Sequence, residues 1–180
     1  CFLTFNNGHA SISIHNNNAN SVVGRDLSFK TYKAGVGNTE KMRIDRDGNV
    51  GIGAIATTKL QVRGAITTLG DARYNLRLDD ATTMAAGVGA GIVFGGQYIT
   101  GNTTPTNFAA VWSKKENATS GNFAGQLHLG TRVAGTGGAI SSDLVINSLG
   151  NVGIGTTSPS ANGSKTTLHI DGTSSGSAIR

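Results

Sequence analysis

The fold is decided by the stretch Met42-Arg43-Ile44-Asp45-Arg46-Asp47-Gly48-Asn49-Val50-Gly51-Ile52-Gly53. Apolar residues alternate with other residues on both sides of its Gly-Asn pair, a period of two that is typical of a half-buried β-hairpin. A two-residue turn would divide the apolar side chains between the two faces of the sheet. A three-residue turn, 46–48, pairs Ile44 with Val50 and Met42 with Ile52, and places Gly48 in the left-handed position. We therefore predict the three-residue turn.

The same pattern returns as Leu144-Val145-Ile146-Asn147-Ser148-Leu149-Gly150-Asn151-Val152-Gly153-Ile154-Gly155, and only a three-residue turn aligns its apolar residues. We predict structural turn roles for Gly48, Asn49, Gly150 and Asn151. The predicted repeat core is Met42, Ile44, Val50, Ile52, Leu144, Ile146, Val152 and Ile154.

Weaker matches flank the two hairpins in the same order along the chain. Residues 10–14 match 90–94, residues 27–31 match 127–131, and residues 60–64 match 168–172. Repeats of this kind organise a whole fold. We predict a first β repeat unit over 1–64, a connector over 65–86 and a second unit over 87–172 with a larger β module inserted. Residues 173–180 would start a following segment.

Composition favours strands and excludes several functional classes. The 180 residues include 27 Gly and only 14% charged residues, so helix should be a minor component of an all-β fold. The net charge of +5 is dispersed along the chain, which argues against nucleic acid as a partner. No apolar run approaches the roughly 18 residues that a membrane-spanning helix needs, so we expect no membrane insertion.

A hairpin of this size is at best marginally stable alone in water. We therefore expect identical chains to supply the missing contacts, with threefold intertwining as the hypothesis. In this arrangement Gly51, Gly53, Gly153 and Gly155 would allow the backbone of a partner chain to approach closely.

Residues 40–45 and 47–53 closely resemble repeats of bacteriophage tail fibre and tailspike proteins. The second copy, continuing through Thr156-Thr157-Ser158-Pro159-Ser160, resembles the GNVGIGTTSP-type repeat more closely still. Segments 91–96 and 115–125 also resemble a module of such fibres. The first copy departs from the pattern at 54–56, where the family usually has a Thr-Thr-Ser-Pro-like segment.

The resemblance implies an elongated, intertwined homotrimeric fibre, often followed by an endosialidase-type intramolecular chaperone domain. It implies a virion location, extracellular when assembled, with two identical chains and other fibre or tail proteins as partners. The expected function is a structural segment that contributes to host-cell attachment. No catalytic residue carries over from the family, so we expect no enzyme activity.

Other motifs give little support for chemistry. Residues 51–56 fit a G-x-G-x-x-A dinucleotide pattern, but a strand-like alternation follows where that motif requires a helix. The histidines His9, His15, His128 and His169 show no metal-ligand spacing. We therefore predict no cofactor, no metal site and no catalytic residue.

Aromatic residues concentrate between 94 and 123, and they leave an alternative open. Phe94, Phe108 and Phe123 fit the core of the inserted module, whereas Tyr98 or Trp112 could contact a host surface glycan. The alternative functions are a carbohydrate-binding receptor-recognition module, and a fragment of a polysaccharide depolymerase or of a bacterial adhesin.

Overall fold

The computed structural model describes residues 2–5, 10–16, 25–65, 75–101, 103–135, 139–160 and 166–171. This part of the chain is all-β and contains no helix, in agreement with the Gly-rich composition. It accordingly offers no helix that is long and apolar enough to span a membrane. The predicted following segment, 173–180, lies outside the described residues.

The strands are short and separated by turns. Their bounds are β1 Phe2–Phe5, β2 Ala10–Asn16, β3 Arg25–Lys33, β4 Gly37–Ile44, β5 Val50–Ile52, β6 Leu60–Val62, β7 Gly91–Gly96, β8 Thr106–Lys115, β9 Gly125–Thr131, β10 Leu144–Ile146, β11 Val152–Ile154 and β12 Leu168–Ile170.

The chain divides into two compact units, Cys1–Arg77 and Leu78–Arg180, and each contains one open mixed sheet. In the first, β3, β4, β5 and β6 are neighbours in that order, and β2 and β1 continue the sheet beyond β3. The second sheet has six strands in the order β12-β11-β10-β9-β8-β7. Neighbours are antiparallel except for two parallel pairs, β5 with β6 and β11 with β12.

The predicted hairpin register is confirmed in both units. Met42 pairs with Ile52 and Ile44 with Val50, while Leu144 pairs with Ile154 and Ile146 with Val152. The turn glycines Gly48 and Gly150 have φ angles of 75° and 79°. Only a residue without a Cβ adopts this left-handed conformation freely, so glycine is favoured at both positions.

One of the flanking matches joins strands that are not equivalent. Residues 27–31 and 127–131 lie in β3 and β9, which hold the same place in their sheets. Residues 10–14 lie in β2, next to β3, whereas residues 90–94 lie largely in the outermost strand β7. The structural counterpart of β2 is β8. Five alternating residues fit any half-buried strand, so the sequence match carried too little information to choose between neighbours.

The side chains on the hairpin face that carries the predicted core, which we call the apolar face, are only partly covered by the chain itself. Ile52 and Ile154 are both 41% exposed, and Ile146 is 37% exposed. Met42, Ile44, Val50, Leu144 and Val152 are half-buried. Within the described part of the chain, the buried hydrophobic residues are Ala110 and Val145. The predicted core residues share one face, but one chain does not bury them.

The opposite face is covered by the chain's own crossover connections. Parallel strands require a crossover, and residues 53–59 supply it between β5 and β6. A Cβ on Gly51 would overlap the carbonyl oxygen of Ala54 in this connection. In the second unit a Cβ on Gly153 would lie 2.9 Å from the Thr156 oxygen and 3.2 Å from Cβ of Pro159. The predicted close approach at these glycines is therefore made by the same chain, not by a partner.

Candidate functional site

The apolar face is the first candidate site, because neither unit buries it and two of its positions, Ile52 with Ile154 and Leu60 with Leu168, are exposed in both units. It is formed by directly paired residues: Leu27, Phe29, Met42, Ile44, Val50, Ile52, Leu60 and Val62 in the first unit, and Leu127, Leu129, Leu144, Ile146, Val152, Ile154, Leu168 and Ile170 in the second. Leu60 is 61% exposed and its counterpart Leu168 is 59% exposed. A monomeric soluble protein rarely leaves such a contiguous apolar surface open to water.

Each apolar face is backed by a row of paired residues on the other side of the sheet, which we call the covered row. In the first unit it runs through Ser28, Arg43, Gly51 and Gln61. In the second it runs through Gly91, Trp112, His128, Val145, Gly153 and His169. Ser28 and Val145 are 0% exposed and His128 is 1% exposed. The sequence predicted the glycines of these rows on this face but gave no role to Arg43 or Val145, although the hairpin alternation places both of them there.

The first covered row contains an ion network. Arg43 Nη1 donates to Asp26 Oδ2 at 2.5 Å, while Nη2 and Nε donate to the two Glu40 oxygens at 2.7 and 2.8 Å. Asp26 is only 4% exposed. The bonds to Glu40 and Asp26 raise the pKa of Arg43, against the effect of its partial burial. A buried carboxylate needs such partners because removing it from water is costly.

The second covered row contains a stacked pair of rings. Trp112 and His128 have ring centroids 5.1 Å apart and an interplanar angle of 16°. His128 Nε2 lies 2.9 Å from Gln126 Oε1, and Nδ1 lies 3.0 Å from the Ser142 hydroxyl oxygen. Because an amide oxygen only accepts, Nε2 carries the proton and Nδ1 accepts from Ser142. Burial, together with the positive charge of Lys114, lowers the pKa of His128 and keeps the ring neutral.

The predicted turn residues are held by side-chain hydrogen bonds. Asn49 donates from its backbone N–H to Asp45 Oδ1 at 2.8 Å and from Nδ2 to Asp45 Oδ2 at 3.0 Å. These bonds lower the pKa of Asp45, the backbone bond from Asn49 having the largest effect. In the second unit Asn151 Oδ1 accepts from the Thr167 N–H at 2.9 Å. Asn151 thus joins the turn to the start of β12.

The two residues predicted as glycan contacts belong to separate cavities. Trp112 lines a cavity of about 340 Å³ with Ile92 and Ile140, while its indole ring stacks on His128. Tyr98 lines another cavity, of about 500 Å³, with Phe108 and Arg132. Tyr98 is 58% exposed and is accessible to a ligand.

The three phenylalanines predicted as module core are exposed in the single chain. Phe94 is 53%, Phe108 44% and Phe123 99% exposed. Phe123 lies in the loop between β8 and β9. One chain therefore does not bury these rings, because in the described residues the sheet has no second layer to cover them.

Within the described ranges, no group of three or more His, Cys, Asp or Glu residues is placed to hold a metal ion. His9 and the side chain of His15 lie outside the described part. Comparison with known proteins finds no family model and no curated protein that this chain matches.

Proposed function

We propose that this chain is a structural segment of a bacteriophage tail fibre or tailspike that assembles as a homotrimer and contributes to host-cell attachment. One observation carries the proposal: both units leave the same apolar face uncovered. Ile52 and Ile154 are both 41% exposed, and Leu60 and Leu168 are 61% and 59% exposed. A repeated exposed pattern suits a surface that copies of one chain cover in the same way along a fibre axis.

Energetics favours association. Fully burying a large apolar side chain stabilises a protein by about 1.5–3 kcal/mol relative to leaving it exposed. The single chain gains only part of that contribution at each half-buried position of the apolar face. Covering this face with two further copies would supply the missing burial, and the resemblance to tail fibre repeats favours three copies over two.

The proposed role is mechanical and adhesive, not catalytic. The chain would lie in the virion, extracellular once assembled, with two identical chains and other fibre or tail proteins as partners. In this proposal the ion network and the stacked rings stabilise the covered side of each sheet and have no binding role, because both belong to the covered rows.

Sedimentation equilibrium tests the assembly. The proposal predicts a particle three times the 18.3 kDa mass of one chain. Ile154→Asp places a charge on the apolar face and should dissociate the particle. The matched control, Thr157→Asp, places the same charge on an exposed residue of the crossover and should leave the mass unchanged. A stable, folded wild-type monomer would contradict the proposal.

A carbohydrate-binding receptor-recognition module is the second candidate. The exposed rings of Tyr98 and Phe108 beside one cavity favour it, because sugar-binding surfaces present accessible aromatic faces. The two candidates are compatible, since a fibre segment can also carry the receptor contact. A glycan array probed with the whole chain separates a shaft segment, which gives no signal, from a receptor-binding one.

A further inference from the structure

The largest cavity described above lies where three strand ends meet in the second sheet. β7 ends at Gly96, β8 begins at Thr106 and β9 ends at Thr131, and the antiparallel order brings these ends together. Tyr98 follows β7, and the turn 133–135 follows β9. The cavity between them has a volume of about 500 Å³, within the range of about 300–1,000 Å³ usual for small-ligand sites.

A β-bulge presents Phe108 to this cavity. Phe94 pairs with Ala109 and Gly95 with Asn107, so Phe108 is the extra residue of β8 at the register shift. Bulges re-aim side chains, and they are frequent next to functional sites. A Cβ on Gly96 would lie 3.0 Å from the Phe108 ring, so a small residue there leaves room for the ring. The cavity wall is therefore set by backbone geometry.

Among the described residues that line the cavity, Arg132 is the one that carries a charge. Its backbone N–H donates to the Phe108 carbonyl oxygen at 2.7 Å, which attaches the arginine to the bulge. Its Nη1 donates to the Thr106 hydroxyl, which orients the guanidinium group. A guanidinium group binds planar oxyanions through paired N–H donors, so it selects for an anionic ligand.

The rings select a second property of the ligand. Tyr98 and Phe108 are 58% and 44% exposed, so a ligand can reach their faces. The face of an aromatic ring is negative and attracts the partly positive C–H groups that a pyranose ring presents along one side. An accessible ring pair beside a fixed guanidinium thus suits a molecule with both a sugar ring and a negative charge.

We propose that this cavity binds an acidic saccharide, with the sugar against Tyr98 and Phe108 and the anionic group at Arg132. This proposal specifies the class of ligand for the attachment role proposed above. It rests on that role only in assuming that the ligand comes from the host surface. The anionic group is a carboxylate, as in a uronic or sialic acid, or a phosphate ester. Both chemistries fit a guanidinium fork.

Saturation-transfer NMR and titration calorimetry on the whole chain test the site with three probes. These are methyl glucuronide, glucose 6-phosphate and, as the neutral control, methyl glucoside. We expect one or both acidic probes to bind at least about tenfold more tightly than methyl glucoside, as charge-assisted hydrogen bonds predict. The stronger of the two acidic probes identifies the anionic group.

Variants locate the binding. Tyr98→Ala and Arg132→Gln should each weaken the acidic probe about tenfold or more, and Arg132→Lys should recover only part of the loss. Tyr32→Ala, which removes a 46% exposed tyrosine from the first unit, is the matched control and should bind like wild type. Circular dichroism of each variant checks that it has folded, and Tyr98→Ala at an exposed position gives a test independent of Arg132.

Binding of methyl glucoside as tight as that of the acidic probes, or affinity unchanged in Tyr98→Ala, overturns the proposal. So does the absence of binding by all three probes. The subunit mass, measured separately, distinguishes this failure from failure of the fibre proposal. A trimer that binds no saccharide would contradict only the saccharide site. A monomer that binds the acidic probe would contradict only the fibre assembly.

Discussion

The first unit holds an ion network at the place where the second holds stacked rings. Arg43 and Val145 occupy the same position in their covered rows, as do Ser28 and His128. The hairpin register and the parallel crossover are nevertheless the same in both units. The backbone arrangement therefore depends on the turn and the alternation, and the chemistry of the covered row can vary. The residues of this row must compensate for their removal from water, either by pairing charges or by packing neutral groups.

Removal of Arg43 should break the first unit most severely. Arg43→Val copies the residue of the second unit but leaves the Asp26 carboxylate buried without its guanidinium partner. Breaking a buried pair in this way costs about 3–5 kcal/mol. Chemical denaturation, with amide hydrogen exchange in β3 and β4, measures the loss. Lys41→Val, at an exposed position of the same strand, is the control and should cost little.

The triple variant Asp26→Gln, Glu40→Ser and Arg43→Val sharpens this test, because it replaces all three charges of the network with the neutral residues that hold these positions in the second unit. No buried charge is then left without a partner, so it should recover part of the stability that Arg43→Val alone loses. Failure to recover would show that the two rows are not interchangeable.

Alanine at the two crossover glycines, Gly51 and Gly153, should reveal a smaller difference in stability between the units. In Gly51→Ala the new Cβ overlaps a backbone oxygen of Ala54, whereas in Gly153→Ala its nearest neighbours, Cγ2 and the oxygen of Thr156, are 2.9 Å away. Overpacking costs about 1–3 kcal/mol, and we expect Gly51→Ala to lie at the upper end. Hydrogen exchange of β5 and β11 compares the two. Equal losses of stability would contradict this expectation and would mean that both crossovers shift equally to accommodate the added Cβ.

Valine at the turn glycines should have a smaller effect. A left-handed conformation costs an L-residue about 1–2 kcal/mol, so Gly48→Val and Gly150→Val should both lower the melting temperature. The drop should be larger for Gly150→Val, because its Cβ would also approach Thr166 Cγ2 to 3.3 Å, while the space at Gly48 is open. Gly150→Asn tolerates the conformation better and is the control. Unchanged melting in both valine variants would argue against the turn.

Lowering the pH should produce the smallest difference in stability between the two units. The folded pKa of His128 is lowered, so the folded state holds the ring neutral while the unfolded state titrates near its ordinary 6.5. The stability that this provides is present above pH 6.5 and is lost as the pH falls from there through the folded pKa. The protection factors of the β9 amides, which are exchange rates corrected for the intrinsic effect of pH, should therefore fall over this interval. His128→Ser, which copies the first unit, should abolish this fall, and a fall that persists would assign it to another group.

The hairpin was predictable because its side chains have a period of two and only one turn length keeps Met42, Ile44, Val50 and Ile52 together. The left-handed Gly48 and Gly150 follow from the same constraint. The parallel pairing of β5 with β6 was not predicted, since neither strand is longer than three residues and no local pattern marks a crossover. The predicted glycan contacts Tyr98 and Trp112 were grouped by closeness in sequence, but strand order assigns them to different cavities.

The sequence by itself determined the hairpins, their register and the side of the sheet on which the apolar residues lie, because these depend on interactions between near neighbours. Only the tertiary structure decided what covers each face. It placed the chain's own crossovers over the glycines, paired Arg43 with Asp26 from a neighbouring strand, and stacked Trp112 on His128. The ion pair and the stacked rings each join two different strands, and the crossovers fold the chain back over its own glycines. Alternation along one strand carries no information about which strand lies beside it or which segment passes above it.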